Sequence, residues 1–214
     1  MNFDEFVSEV ISKDGNVIGK PVVWKSVSID LKSKGTSFEF DSNSKVDGLS
    51  LVDYGGSNTI ILGCNSKLSG VVKLGKSCKL VIGDNFSVTG GLKLHLSEAK
   101  DIIIGDDCMF GIDVSIYNHD YHPVFSLDSG ERLNFSQTVI IENNVWLANK
   151  VTVLKGVTIH NGAIIGLGSL VTKDIEKKSL AVGSPAIVIK KDVVWSRASL
   201  NTSHPNGINN ISEL

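Results

Sequence analysis

Residues 141–173 read IENNVWLANKVTVLKGVTIHNGAIIGLGSLVTK, and this stretch divides into sixes without remainder until its last three letters. The first position of each six holds Ile141, Leu147, Val153, Ile159, Ile165 and Val171. The fifth holds Val145, Val151, Val157, Ala163 and Ser169, all small or β-branched. A helix brings apolar residues back every three or four positions, and a plain strand every second, so neither explains the period. Short strands broken by a corner after each six do. Gly, Asn and Asp stand where the corners would fall, and these residues accept a positive φ at little cost. Three sixes then make one coil of a three-sided prism, and stacked coils bury the aliphatic columns that no single coil could bury alone.

The same beat runs upstream with slips. Leu62, Leu68, Leu74 and Leu80 lie six apart, with Ser66, Val72 and Cys78 at the fifth position. Ile82, Val88 and Leu94 restart two residues out of phase, and Ile104, Phe110 and Ile116 form a third run. Residues 22–60 alternate apolar and polar, which predicts strands without fixing their phase. The expected architecture is all-β: a parallel β-helix of hexapeptide repeats over residues 21–190. A short helical segment is expected over 1–20, and a polar, partly disordered extension over 191–214.

Composition fits one domain with a sizeable core. The chain has 214 residues, 42% of them hydrophobic, and a net charge of -2 that argues against general nucleic-acid binding. The N-terminus lacks the basic start and apolar run of a signal peptide, and no apolar stretch approaches a membrane span. Cys64, Cys78 and Cys108 are an odd number at unrelated spacings, so a reducing cytoplasmic setting is expected rather than a disulfide framework.

The rhythm fails between Ile116 and Ile141, which are not a multiple of six apart. A loop near 117–138, YNHDYHPVFSLDSGERLNFSQT in its main part, must therefore leave the prism. Long aperiodic loops inside compact domains are usually functional or disordered, and this one carries aromatics, histidines and a proline. Pro123 restricts the backbone of His122, and Asp120 is placed to accept a bond from one of its ring nitrogens, leaving the other as a base. Two ordinary loop histidines, or a metal pair His119/His122 without an evident third ligand, are the alternatives. His95 alternates outward in LKLHL, and His160 sits at a corner; neither has a partner legible in the sequence.

DYHPVF, SGERLN, the run 141–175 and AVGSPAIVIKK in that order resemble the maltose, galactoside and nodulation acetyltransferase branch of the hexapeptide-repeat acyltransferases. The resemblance is dense from about residue 104 to 191 and one of repeat style before that. It implies a left-handed coil, acetyl-CoA as cosubstrate, no required metal, and a homotrimer with active sites between subunits. It also implies His122 as general base and Trp146 as a site residue, either an indole donor to the oxyanion or a wall for the acetyl group. Coenzyme contacts are implied at Asn149, Gly166, Leu167, Thr172, Lys173 and Lys190. The whole chain further resembles capsule-modifying O-acetyltransferases, which implies a sialic-acid-containing polysaccharide as acceptor; another sugar or small hydroxyl compound is the alternative. Lys67, Lys73, Lys76, Lys79 and Lys93 against Asp84 form a basic stretch that either attracts a polyanion or is simply a solvated solenoid face, and Arg132 is a candidate for an acceptor carboxylate. Cys78 and Cys108 are expected to point inward as small hydrophobes, so direct transfer is expected rather than an acyl-cysteine intermediate. A zinc lyase on the same scaffold would need three converging histidines, and a purely structural solenoid would need outward ladders that the sequence does not display.

Overall fold

The computed structural model describes residues 1–198; the polar tail beyond, with His204 and the part of the extension expected to be disordered, lies outside the described residues. Strands build three sheets that form the three faces of a parallel β-solenoid. Face 1 has seven strands, face 2 six and face 3 eight. The chain visits the faces in that order, as Ile102–Ile104, Met109–Ile112 and Ser115–Tyr117 illustrate, then returns to face 1 at Val139–Ile141. Every pairing in the stack is parallel except the last, where Ala186–Lys191 folds back antiparallel on Ser179–Gly183.

The sixfold columns are the core. Ile141, Leu147, Val153, Ile159, Ile165 and Val171 are all 0% exposed. Ile82, Ile104, Ile141 and Ile159 stack in register along face 1, so each aliphatic meets the same kind of side chain above and below. The upstream slips have a geometric cause. Ile82 and its partner Ile104 are 22 residues apart, whereas Ile141 and Ile159 are 18 apart. The larger coils carry longer strands on face 3, Lys45–Asp53 and Lys67–Leu74, so the extra residues widen the coil and shift the phase.

At the corner between faces 1 and 2, side-chain oxygens form a ladder. Asp84 Oδ1 accepts the Cys64 N–H, Asp106 Oδ1 that of Asp84, Asn143 Oδ1 that of Asp106, and Asn161 Oδ1 that of Asn143. This is why GDN, GDD, ENN and HNG recur: each Asp or Asn satisfies a backbone donor that the corner would otherwise orphan. Asn85, Asp107 and Asn144 take positive φ of 55–58° in the same turns.

The N-terminal helix Phe3–Ser12 starts with a capping box between Asn2 and Glu5. It buries Phe6 and Val10 against Phe38, Phe40 and Trp24, closing an end of the stack that would otherwise present apolar side chains to water. Residues 1–20 also hold a strand, Val17–Ile18, which pairs with Phe38 and Glu39 and so belongs to face 1. After the last strand the chain turns back along the middle coils, where Trp195 is 7% exposed and Arg197 hydrogen-bonds Ser87 Oγ and the carbonyls of Asn85, Asp107 and Cys108. Residues 192–198 thus run as a strap along the corner between faces 1 and 2. No helix among the described residues is long and apolar enough to cross a membrane.

Candidate active site

The loop between Tyr117 and Val139 leaves the corner between faces 3 and 1 and folds on itself as a short arm. Phe125 and Arg132 form an antiparallel bridge, Ser126 N–H donates to Glu131 O at 2.9 Å, and Leu133 N–H donates to Val124 O at 2.8 Å. Two ion pairs tie the arm to the prism. Arg132 grips Glu98 through both terminal nitrogens, and Ser136 donates to the same carboxylate. Those bonds, led by the Arg132 guanidinium, hold Glu98 down to about 2. Lys155, from the next coil, pairs with Asp120 and holds its carboxyl below the usual range. At the arm's root, the fully buried Asn118 donates to Lys100 O at 2.7 Å, and its carbonyl receives Gln137 N–H at 2.9 Å.

His122 sits on this arm, exposed. Its N–H donates to Asp120 O at 2.7 Å and its carbonyl accepts Asn134 Nδ2 at 2.8 Å. No group among the described residues hydrogen-bonds its ring. The sequence suggested Asp120 as the ring's partner, and the structure differs: Asp120 Oδ2 receives Lys155 Nζ and Asn134 Nδ2 instead. Asp120 thus shapes the loop rather than the imidazole. Arg132, suggested for an acceptor carboxylate, has its guanidinium on Glu98 and over the Phe135 ring. His119 Nδ1 accepts the Tyr121 N–H at 3.0 Å, and burial lowers the His119 pKa, so this ring is neutral near pH 7 with its proton on Nε2.

The remaining expected residues lie elsewhere on the same chain. Trp146 projects outward from face 2 between Met109 and Ile164, half-buried, with Trp195 6.0 Å away across tilted rings. Its indole N–H has no acceptor among the described residues. Asn149 and Gly166–Leu167 stack on adjacent coils at the corner between faces 2 and 3, where Gly168 N–H donates to Asn149 O at 2.9 Å. The Asn149 side chain is already engaged: its Oδ1 accepts Ile112 N–H at 2.8 Å, and a Cβ at Gly111 would lie 2.2 Å from that oxygen. Backbone groups are what this corner can offer a ligand, with Leu167 71% exposed beside them. Thr172 and Lys173 are exposed at the corner between faces 3 and 1, on the same edge as Lys155 and the His122 arm. Lys190 is exposed on the antiparallel terminal strand, opposite Leu180.

The basic stretch is divided by the fold. Lys67, Lys73 and Lys93 lie on face 3, with Lys67 4.0 Å from Asp47, while Lys79 lies on face 1. Cys78 and Cys108 are buried as expected, and burial pushes the Cys108 thiol up to about 12, far from a thiolate nucleophile near neutral pH. Sequence reasoning missed Glu98, Lys155 and Trp195, whose partners are 34, 35 and 51 residues away. It also left His95 without a partner; the structure buries that ring beneath Tyr117 and Tyr121.

No protein-family profile matches the chain. A Neisseria meningitidis polysialic acid O-acetyltransferase is 34% identical over 161 residues, 67% of this chain and 74% of the relative. A polysialic acid O-acetyltransferase of Escherichia coli O1:K1 is 32% identical over 133 residues, 62% of this chain but only 43% of that longer relative. The crystal structure of the polysialic acid O-acetyltransferase OatWY superposes with a TM-score of 0.85 at 28% identity, covering 90% of this chain and 92% of that one. The chain belongs to the hexapeptide-repeat acetyltransferase family that includes the polysialic acid O-acetyltransferases.

Proposed function

We propose that this protein transfers acetyl from acetyl-CoA to a hydroxyl of a sialic-acid-containing polysaccharide, by direct attack with His122 as general base. The observation that carries the reading is the contrast within the arm. Its frame is tied to the prism by the Arg132–Glu98 and Lys155–Asp120 pairs, while the His122 ring stands exposed with no hydrogen-bond partner among the described residues. An imidazole held that way is suited to take the acceptor hydroxyl's proton as its oxygen attacks the thioester carbonyl. The carbon–sulfur bond then breaks, and the coenzyme leaves as a thiol after recovering that proton. The acceptor is argued from what the two relatives are named for.

The site is completed by a second copy in this reading. His122 lies at the edge between faces 3 and 1, whereas Trp146 is on face 2 and Asn149 with Gly166 lie at the edge between faces 2 and 3. One prism does not converge these groups, and a neighbouring prism seated against the arm would. The arm exposes Phe125, Leu127, Leu133 and Phe135, apolar surface that a partner would cover. A homotrimer closes such head-to-tail contacts.

The deciding experiment presents acetyl-CoA with sialic-acid polymer, a simple galactoside and serine, and follows thiol release. Turnover with the polymer, falling at least ~100-fold in His122→Ala and less in His119→Ala, is the expected result. Turnover confined to the galactoside would move the acceptor assignment to neutral sugars. If His122→Ala keeps its rate, the base assignment is lost. Raising ionic strength from about 0.1 M to 1 M shortens the screening length from about 10 Å to 3 Å. Activity on polymer, but not on neutral sugar, should therefore fall if the face 3 lysines steer the acceptor.

A further inference from the structure

His95 projects from the outer side of face 3, yet it is only 6% exposed. Two tyrosines cover it. Tyr117, its register partner in the next coil, meets it edge-on with ring centroids 5.0 Å apart. Tyr121 descends from the arm and places its hydroxyl against His95 Nδ1. Tyr121 is the residue immediately before His122.

The backbone of Tyr121 has a φ of 64°, in the left-handed region, although it is not glycine. A residue with a Cβ disfavours this conformation, which persists only where the surroundings impose it. Here two histidines hold opposite ends of the residue. His119 accepts its N–H, and its ring packs edge-on against the tyrosine at 4.5 Å; His95 meets its hydroxyl. The His119 contact is local to the loop. The His95 contact ties the Tyr121 hydroxyl to a strand paired on both sides, with Lys67–Leu74 and with Ser115–Tyr117, while the Tyr117 ring, 6.3 Å away, adds packing without a hydrogen bond. Since none of the described residues bonds the His122 ring, the place from which it projects is set by the peptides on either side, one fixed by Pro123 and the other by Tyr121. Burial, then the neighbouring Lys73, His119 and Lys93, lower the His95 pKa to about 4, so the partner offered to the tyrosine is a neutral ring.

We propose that His95 is a positioning residue for acetyl transfer: through the Tyr121 hydroxyl it fixes the turn that aims His122. The inference rests on the reading of His122 as the base. A misplacement of about 1 Å at a catalytic group can cost on the order of 100-fold in rate, so a hydroxyl remote from the chemistry carries weight here.

The test uses the full chain, acetyl-CoA and sialic-acid polymer, or whichever acceptor in the screen above supports turnover. Tyr121→Phe keeps the half-exposed ring and removes only the hydroxyl; His95→Leu removes the partner; His95→Gln keeps an amide able to meet the hydroxyl. Tyr121→Phe and His95→Leu should each lower kcat roughly tenfold or more, with KM for acetyl-CoA unchanged within about twofold. The double variant should be no slower than the slower single one, His95→Gln should recover most of the rate, and Tyr121→Phe should add nothing to His122→Ala. Wild-type kcat in Tyr121→Phe beside an inactive His122→Ala overturns the positioning role and leaves the base standing. Full activity in His122→Ala overturns both. Losses that multiply in the double variant, or a Tyr121→Phe loss undiminished without His122, would overturn positioning in favour of separate roles.

Discussion

The indole of Trp195 lies 6.0 Å from that of Trp146, tilted by 44°, and its N–H donates to Asn144 O at 2.7 Å. The outward tryptophan of face 2 therefore has a lid supplied by the strap. Trp195→Ala removes a nearly buried aromatic, and losses for such changes run about 3–5 kcal/mol. A denaturant midpoint lowered accordingly, with tryptophan emission shifted to longer wavelength as Trp146 meets water, is expected. An unchanged midpoint and spectrum would mean that the strap is not seated in solution.

Trp146 carries an indole N–H without an acceptor among the described residues. If that donor serves the developing oxyanion, Trp146→Phe should lose about 100-fold in kcat, as much as Trp146→Ala. If the residue is a wall for the acetyl group, Phe should keep most of the rate while Ala does not. Steady-state kinetics of the two variants separates the roles.

Stability should depend on pH through His95. Its folded pKa of about 4 lies below the ordinary 6.5, so between those values the unfolded chain binds more protons. Stability associated with the neutral ring is full above about pH 6.5 and is lost as pH falls toward 4. Each pKa unit corresponds to about 1.4 kcal/mol, so the loss is on the order of 3 kcal/mol at most. Glu98, held to about 2, contributes in a lower window: its stabilisation is lost as pH falls below its ordinary 4.5. Urea titrations at pH 7, 5.5 and 4.5 should show His95→Gln flattening the slope over that range relative to the parent. Parallel slopes would contradict the assignment.

Lys173 and Lys190 are exposed, and neither has an ion pair among the described residues. As phosphate contacts, each is worth about 1 kcal/mol, or roughly fivefold in the dissociation constant for CoA. Calorimetric titration of Lys173→Ala and Lys190→Ala with CoA should show weakening of that size. Parent affinity in both would remove these lysines from the coenzyme site.

Legibility followed the physics of the repeat. From Ile141 to Val171 successive coils hold 18 residues, shortening to 16 in the last, and every first-position aliphatic named from the sequence in that stretch is fully buried. Upstream, coils of 20 to 22 residues break the count, because strands such as Lys67–Leu74 lengthen one face and interrupt the inward alternation, with Leu68 and Ser69 both buried side by side. His122 was visible because a loop must interrupt a strict period and because its motif resembles a known family's. Its surroundings were not visible: Lys155 reaches Asp120 only after the chain has gone once around the prism. The burial of His95 likewise depends on Tyr121, a residue of the excursion that periodicity cannot place.

Arg197 reaches back 110 residues to Ser87 and also holds carbonyls of two successive coils. Stacked repeats ordinarily fray from an end, because each layer touches only the next. A seam sewn lengthwise changes that: the outermost layers cannot peel away singly while their hem is stitched several storeys down. During synthesis residues 192–198 would thus fasten layers formed long before, so the stitched coils should come undone in one step rather than by the leaf.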